Sequence, residues 1–360
     1  MFLVPEEVGG SEPLLTNLAL SMARKGTDLT VFAVKGFASA YPEIAAICEV
    51  VEVPWRRGQQ AMRIAVEHSW LPMQLARRKI DIVHHGVGTT PFLKTIPEAV
   101  TIHDIQFRHY PKNFVMGKRM WLSVNVPHTL KRCRVICVPS LWVQNDLAEK
   151  FGVSEHKVAV VPFGSEDLFG PDPASAEEIR EEYRLERPFF FFPGRAYPHK
   201  NHKFLIKAFA PIAHRADLIF TGPPWFTDGD IADAAGTVGS AVRHLGRVPR
   251  RHLAGLYSAA SALAYPTRFE GFGAPALEAM AQGCPVIASN VTAVPEVVGQ
   301  AGILLDPDDT EAWTRAMTSL LDDPELKRNF SEAGRERAAR FSWERAADLQ
   351  LAAYERAIGR

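Results

Sequence analysis

Two glutamates stand on either side of a glycine- and proline-bearing loop in the run Thr267-Arg-Phe-Glu270-Gly-Phe-Gly273-Ala-Pro275-Ala-Leu-Glu278. Carboxylates accept hydrogen bonds from vicinal hydroxyls, so the pair suits a sugar and a ribose. An apolar run ends near Pro266 and a helix is predicted from Ala274 to Gln282, which places the loop between strand and helix. In a parallel sheet that is the carboxyl edge, where doubly wound folds bind their ligands. Small residues let a ligand approach the backbone, and the unpaired amides of a first helical turn meet anionic oxygens. Read singly, Glu270 is a loop charge and Glu278 an exposed helical one. Together around this loop they are placed toward one cleft.

A second group, Pro193-Gly194-Arg195-Ala-Tyr-Pro198-His199-Lys200-Asn201, follows the strand-like run Phe189–Phe192. Two fixed cations in a strand-to-helix loop, Arg195 and Lys200, can clamp a diphosphate and offset leaving-group charge without a metal. Nearer the start, Gly9 and Gly10 lie between a strand predicted at Phe2–Val4 and a helix predicted over Ser11–Lys25. Two glycines permit close backbone approach, although a Gly-Gly pair is more often only a turn and the full GxGxxG dinucleotide fingerprint is lacking. His103, in Thr101-Ile-His103-Asp104, ends another strand. A lone histidine is usually structural, but the adjacent acid and strand-end position favour a substrate contact. His84 and His85, one strand earlier, are read as structural.

These residues need a scaffold of βα units, and the chain has one. Short apolar runs alternate with helical patterns: Leu29–Val34, Ile80–His84, Ala99–Ile102 and Val135–Val138 in the first half, then Ala216–Thr221, Val242–Leu245, Ala262–Tyr265, Pro285–Ala288 and Gly302–Leu305. The Pro- and acid-rich stretch from Ser165 to Glu186 marks a boundary between two α/β domains. Thr310–Leu321 reads as a helix, and Trp343, Ala347, Leu351 and Tyr354 form one apolar stripe of a last one. At 360 residues the chain is long enough for two domains, each with its own core.

With 41 basic and 41 acidic residues, the charge balance argues against nucleic acid as the main partner. The first 164 residues nevertheless hold 19 Lys and Arg against 14 Asp and Glu. That surplus fits either solvated surface charge or a basic face meeting an anionic membrane. Four cysteines without a CxxC pair argue against a disulfide or zinc scaffold. No apolar run approaches the ~20 residues of a membrane helix. A cytoplasmic protein is expected, with peripheral contact at the inner face of the cell membrane as the alternative to full solubility.

In combination these residues resemble the GT-B retaining glycosyltransferases, specifically the large family four. The resemblance covers nearly the whole chain and is most specific from Glu270 to Glu278, which match the family's Glu-x7-Glu motif; Arg195 with Lys200, Gly9-Gly10 and His103 agree in order. It implies two Rossmann-like domains facing a deep cleft: an acceptor domain over 1–164 and a nucleotide-sugar domain over 165–342. The helix 343–360 would return toward the first domain and pack across both. Glu270 would contact donor-sugar hydroxyls, Glu278 the ribose, and Arg195 with Lys200 the diphosphate. Main chain at Phe272, Gly273, Ala274, Pro275 and Ala276 would line the sugar and phosphates, Arg247 and Val248 would meet the base, and His103 would face the transferred sugar. Two departures stand out. The first strand starts only at Phe2, shorter than in the family, so the amino-terminal sheet is expected to be incomplete, and Thr267 replaces the common Ser.

The reaction so implied is transfer of a hexosyl group from a nucleotide diphosphate sugar to a glycan or lipid-linked glycan, with anomeric retention and neither metal nor cofactor. GDP-mannose is the first donor expected, because Arg195-Ala-Tyr-Pro-His-Lys-Asn and Thr-Ile-His-Asp resemble family members that add mannose to polysaccharides. A nucleotide-sugar epimerase on the same scaffold, or a non-catalytic nucleotide-sugar sensor, are the competing readings. Formation of a new glycoside separates them.

Overall fold

The computed structural model describes residues 11–53, 66–86, 88–92, 96–170, 172–223 and 229–359. Gly9, Gly10 and the strand expected at Phe2–Val4 lie outside these. The chain divides into two compact units, one formed by residues 1–164 with 342–360, the other by 165–341.

In the first unit, strands β1 (Thr30–Ala33) and β2 (Glu49–Glu52) pair in parallel, and β3 (Val83–His85), β4 (Glu98–Thr101), β5 (Val135–Val138) and β6 (Val158–Val160) form a second parallel sheet in chain order. All four residues of β5 are buried, as expected of a strand covered on both faces. The helices that pack here include α1 (Ser11–Arg24), α2 (Met116–Arg132) and α3 (Leu141–Phe151). Ser140 caps α3 by accepting the Val143 amide, and Gly152 ends it in the left-handed conformation at φ 66°. Val100, Ile136, Val138, Val126, Leu130, Val143 and Leu147 make one core.

The carboxyl-terminal helix Trp343–Ile358 is part of this unit and buries Ala346, Ala347, Gln350 and Ala353. Its polar contacts are specific: the Gln350 amide donates to the Cys137 sulfur at 3.0 Å, and the Tyr354 hydroxyl meets His84 Nδ1 at 2.5 Å. His84 Nε2 lies 2.7 Å from the Thr101 hydroxyl, so this imidazole ties helix to sheet. A Cβ on Gly164 would stand 2.5 Å from the Trp343 nitrogen, which is why a residue without a side chain occupies that crossing.

The second unit is a six-stranded parallel sheet of β7 (Phe189–Pro193), β8 (Asp217–Thr221), β9 (Val242–His244), β10 (Ala262–Tyr265), β11 (Val286–Ser289) and β12 (Ile303–Leu305). Its order is β12-β11-β10-β7-β8-β9. Counted from its own first strand this is 3-2-1-4-5-6, the doubly wound arrangement whose direction reverses between β7 and β10. Phe189 to Phe192 are wholly buried at the centre. Helices α4 (His202–Phe209), α5 (Gly229–Val238), α6 (Arg250–Ala259), α7 (Ala274–Ala281), α8 (Thr310–Asp322) and α9 (Pro324–Ala338) cover the sheet. Asp309 and Asp323 cap the last two by accepting the amides of Ala312 and Leu326.

Candidate active site

The switch point between β7 and β10 is where a doubly wound sheet leaves room for a ligand, because the helices on either side run to opposite faces. The loop after β7 carries Arg195 and Lys200, and the loop after β10 carries Glu270. The structure joins them: Lys200 Nζ lies 2.5 Å from Glu270 Oε1, with side-chain exposures of 16% and 15%. The Thr267 hydroxyl donates to the same oxygen at 2.8 Å, and Lys200 lies 5.4 Å from the centre of the Tyr265 ring. Burial pushes the Glu270 carboxyl up, but the Lys200 charge and hydrogen bonds from Lys200, Tyr265 and Thr267 overcome it and hold the group below its ordinary value. Glu270 is therefore an oriented acceptor.

Backbone geometry fixes both loops. A Cβ on Gly222, just past β8, would sit 2.5 Å from the Gly194 carbonyl oxygen, so the turn that launches Arg195 rests directly on neighbouring main chain. The Gly194 amide donates to Thr221 and the Gly222 amide to Gly246, each at 2.9 Å, which stitches the carboxyl ends of β7, β8 and β9 together. Asn201 and Thr292 adopt left-handed φ of 63° and 53°. For a β-branched residue such as Thr292 that conformation is strained, and its hydroxyl accepts the Glu270 amide at 3.1 Å.

Glu278 is one turn into α7, and the Tyr257 hydroxyl of α6 donates to its Oε2 at 2.8 Å. Burial raises this carboxyl, opposed by the Tyr257 bond and the charges of Arg250 and Lys200. The Lys200 charge is thus felt by both acids. Burial also lowers His199 to about 4 and His202 to about 3, with Lys200 adding to each, so these imidazoles are neutral at physiological pH. Arg195 is exposed on the same loop, its Nη1 3.4 Å from the Tyr197 hydroxyl. Arg247 and Val248 follow Gly246 past β9.

Gly273, at φ 101°, opens α7, but Pro275 has no amide hydrogen and the Ala276 amide already donates to the Gly273 carbonyl at 2.9 Å. Of the backbone expected to line an anion over Phe272 to Ala276, the donors are those ahead of Pro275. In the first unit His103 follows β4, and its Nε2 donates to the Gly86 carbonyl at 3.2 Å. Burial lowers it, against that bond. Tyr257, Thr292 and Gly222 were not singled out from sequence. Tyr257 and Thr292 carry no local signal, whereas Gly222 directly follows the apolar run of β8, a strand-end position from which it could have been found.

A doubly wound α/β unit with an acid–base pair at its switch point and a second acid on the following helix has the arrangement of a ligand-binding unit. Family models agree across the chain: residues 8–165 match glycosyltransferase family 4 and residues 175–337 match glycosyl transferases group 1. The chain belongs to the GT-B glycosyltransferases of family four. It is 28% identical to the O-antigen chain mannosyltransferase B of Escherichia coli over 76% of this chain and 74% of that protein. To the O-antigen chain mannosyltransferase RfbU of Salmonella typhimurium it is 26% identical, over 73% and 71%. Sucrose-phosphate synthase of Thermosynechococcus elongatus shares the fold with a TM-score of 0.77 at 21% identity, over 97% of this chain and 93% of that one. The protein is thus a glycosyltransferase that uses a nucleotide sugar.

The two acids are expected to separate in function. By calorimetry, Glu278→Gln should weaken binding of the free nucleoside diphosphate about 10- to 100-fold, the worth of a hydrogen bond to a charged group. Glu270→Gln should leave it within a few-fold and impair use of the sugar donor. Equal losses of nucleotide affinity would overturn the division of roles.

Proposed function

We propose that this transferase moves a mannosyl group from GDP-mannose to a glycan or lipid-linked glycan acceptor, with retained anomeric configuration and no metal ion. The observation that carries the reading is the Lys200–Glu270 pair at the switch point, which sets a fixed cation beside an oriented hydroxyl acceptor. The mannosyl assignment draws on the mannosyltransferase relatives. In the step itself the bond from C1 to the phosphate oxygen breaks and one from C1 to the acceptor oxygen forms. Lys200 and Arg195 stabilise the departing diphosphate, and the acceptor proton passes to a phosphate oxygen on the same face. Glu270 is engaged by Lys200 and Thr267 and fits hydroxyl binding better than nucleophilic attack. Charge stabilisation is proposed to come from the two cations, Arg195 and Lys200.

The protein is further assigned to the cytoplasmic face of the cell membrane, in peripheral contact with anionic lipid. No helix among the described residues is long and apolar enough to cross a bilayer.

A thermal-shift screen of nucleotide sugars tests the donor: the right one at 100 times its dissociation constant should stabilise by about 2.7 kcal/mol. Transfer should then proceed unchanged in EDTA and give a product of the donor's anomeric configuration. Complete loss in EDTA, restored by magnesium or manganese, would overturn the metal-free mechanism. Binding without glycoside formation across an acceptor panel would replace the transferase reading with that of a sensor.

A further inference from the structure

We infer that the outer face of α2 is the surface that docks on an anionic lipid bilayer. The inference rests on the peripheral-membrane reading above and gives it a place on the molecule. Helix α2 has apolar residues on two opposite faces. Val126 and Leu130 are buried in the core of the first unit, with Leu122 packed against it. On the other side Met116, Met120 and Val124 recur every four residues, with exposures of 77%, 64% and 64%. Trp121 beside them is 45% exposed, and Val115, immediately before the helix, 77%. Phe92, 52% exposed, adds to the same side, its ring 5.2 Å from that of His128 on α2. Scattered exposed apolar residues need no explanation, but a continuous stripe along one helix marks an interaction surface.

The charge around the stripe names the occupant. From residue 105 to residue 145 there is no Asp or Glu, while Lys and Arg occur seven times. Lys112, Lys118, Arg119 and Lys131 of this set are exposed. The pair Lys131-Arg132 is split by the fold: Arg132 turns inward onto Glu98 at 2.6 Å, whereas Lys131 remains outside. An apolar stripe bordered by cations is the pattern of a helix lying in the plane of an interface, its apolar side among the acyl chains and its cations at anionic headgroups. A second copy of this chain would bring like charges together along the same borders. Seventeen residues give the helix a length of about 25 Å, long enough for all of its exposed apolar side chains to enter one leaflet together.

Co-sedimentation of the whole protein with vesicles tests this, using phosphatidylcholine alone and phosphatidylcholine mixed with phosphatidylglycerol, at low salt. Wild type should bind the mixed vesicles and not the neutral ones. Met120→Ser with Val124→Ser should lower the partition coefficient at least tenfold. Lys118→Gln with Arg119→Gln should lower it about fivefold per cation. Circular dichroism and thermal unfolding, read on each variant, report that the first unit is folded, and calorimetric binding of GDP by the second keeps the transferase reading separate. If the wild type binds mixed vesicles and neither double variant weakens it, α2 is the wrong surface and the peripheral reading stands. Failure of the wild type to bind removes both. Velocity sedimentation without vesicles completes the test: a dimer that the Ser variant dissociates would give the stripe to a second copy and overturn the inference.

Discussion

Lys200→Ala is expected to lower turnover by ~10²-fold or more, the worth of one preorganised donor at the site of developing charge. Unlike Arg195, Lys200 has a second duty: it is the counter-charge of a nearly buried carboxylate, and without it Glu270 keeps, among the described residues, the hydroxyls of Thr267 and Tyr265. The variant should therefore lose stability as well. The sign follows from the carboxyl. Glu270 is held below its unfolded value in the folded protein, so its contribution is present above that value and fades as the pH falls through the folded one. The stability gap between wild type and Lys200→Ala should then be widest at neutral pH and close in acid. Arg195→Ala, at an exposed position, should lower turnover comparably with the melting temperature unchanged. Wild-type turnover in either variant would sink the diphosphate clamp. A gap that widens in acid would show that Lys200 does not hold Glu270 ionised.

The second large effect is one of folding. Glu98 is buried on β4 and its carboxylate takes both Nε and Nη2 of Arg132, at 3.0 Å and 2.6 Å, tying α2 to the sheet. Two charges held at low exposure cost desolvation that only their pairing offsets, so removing one strands the other. Glu98→Gln is expected to cost about 3 kcal/mol, which for a unit of this size is a fall of roughly 6–12 °C in its melting transition. Calorimetric scanning of the whole protein reads it. A shift below about 2 °C would mean that water already carries the Arg132 charge.

Why some of this was legible in sequence and some was not has a physical basis. Strands β5 and β10 were expected at the boundaries observed, because a strand buried on both faces is a continuous apolar run ended by turn residues. Strand β2 was missed: Glu49-Val-Val-Glu52 puts acids at both ends of a half-exposed pair of valines, and only its pairing with β1 makes it a strand. Helix α2 was missed for a different reason. It carries Pro127 inside and apolar residues on both faces, which erases the single stripe that periodicity detects. At the site, the spacing of Glu270 and Glu278 and the cations after β7 could be read from motifs that local structure holds together. The bond from Lys200 to Glu270 spans 70 residues and exists because the strand order sets β7 beside β10. The same holds for Tyr257, whose role is set by how α6 lies next to Glu278. Some cations counted toward a basic face are spent inside the protein or at local pairs, Arg132 on Glu98 and Arg78 on Glu49, so a charge count overstated how much of that face meets solvent.

The chain leaves the first unit at Gly164 and re-enters it at Ser342, and the last helix supplies buried Ala347, Gln350 and Ala353 to that unit. During synthesis, then, the half that is made first is the half that is finished last. The second unit is an uninterrupted stretch whose two ends are joined by the Ser165 amide donating to the Phe341 carbonyl at 2.8 Å, so it holds all its own core before the terminal helix has left the ribosome. Until then the first unit lacks Tyr354 and Gln350, which meet His84 Nδ1 and the Cys137 sulfur. The second unit therefore has its whole sequence available before the first unit does. Deleting residues 342–360 would leave the second unit whole and the first without the helix that completes it.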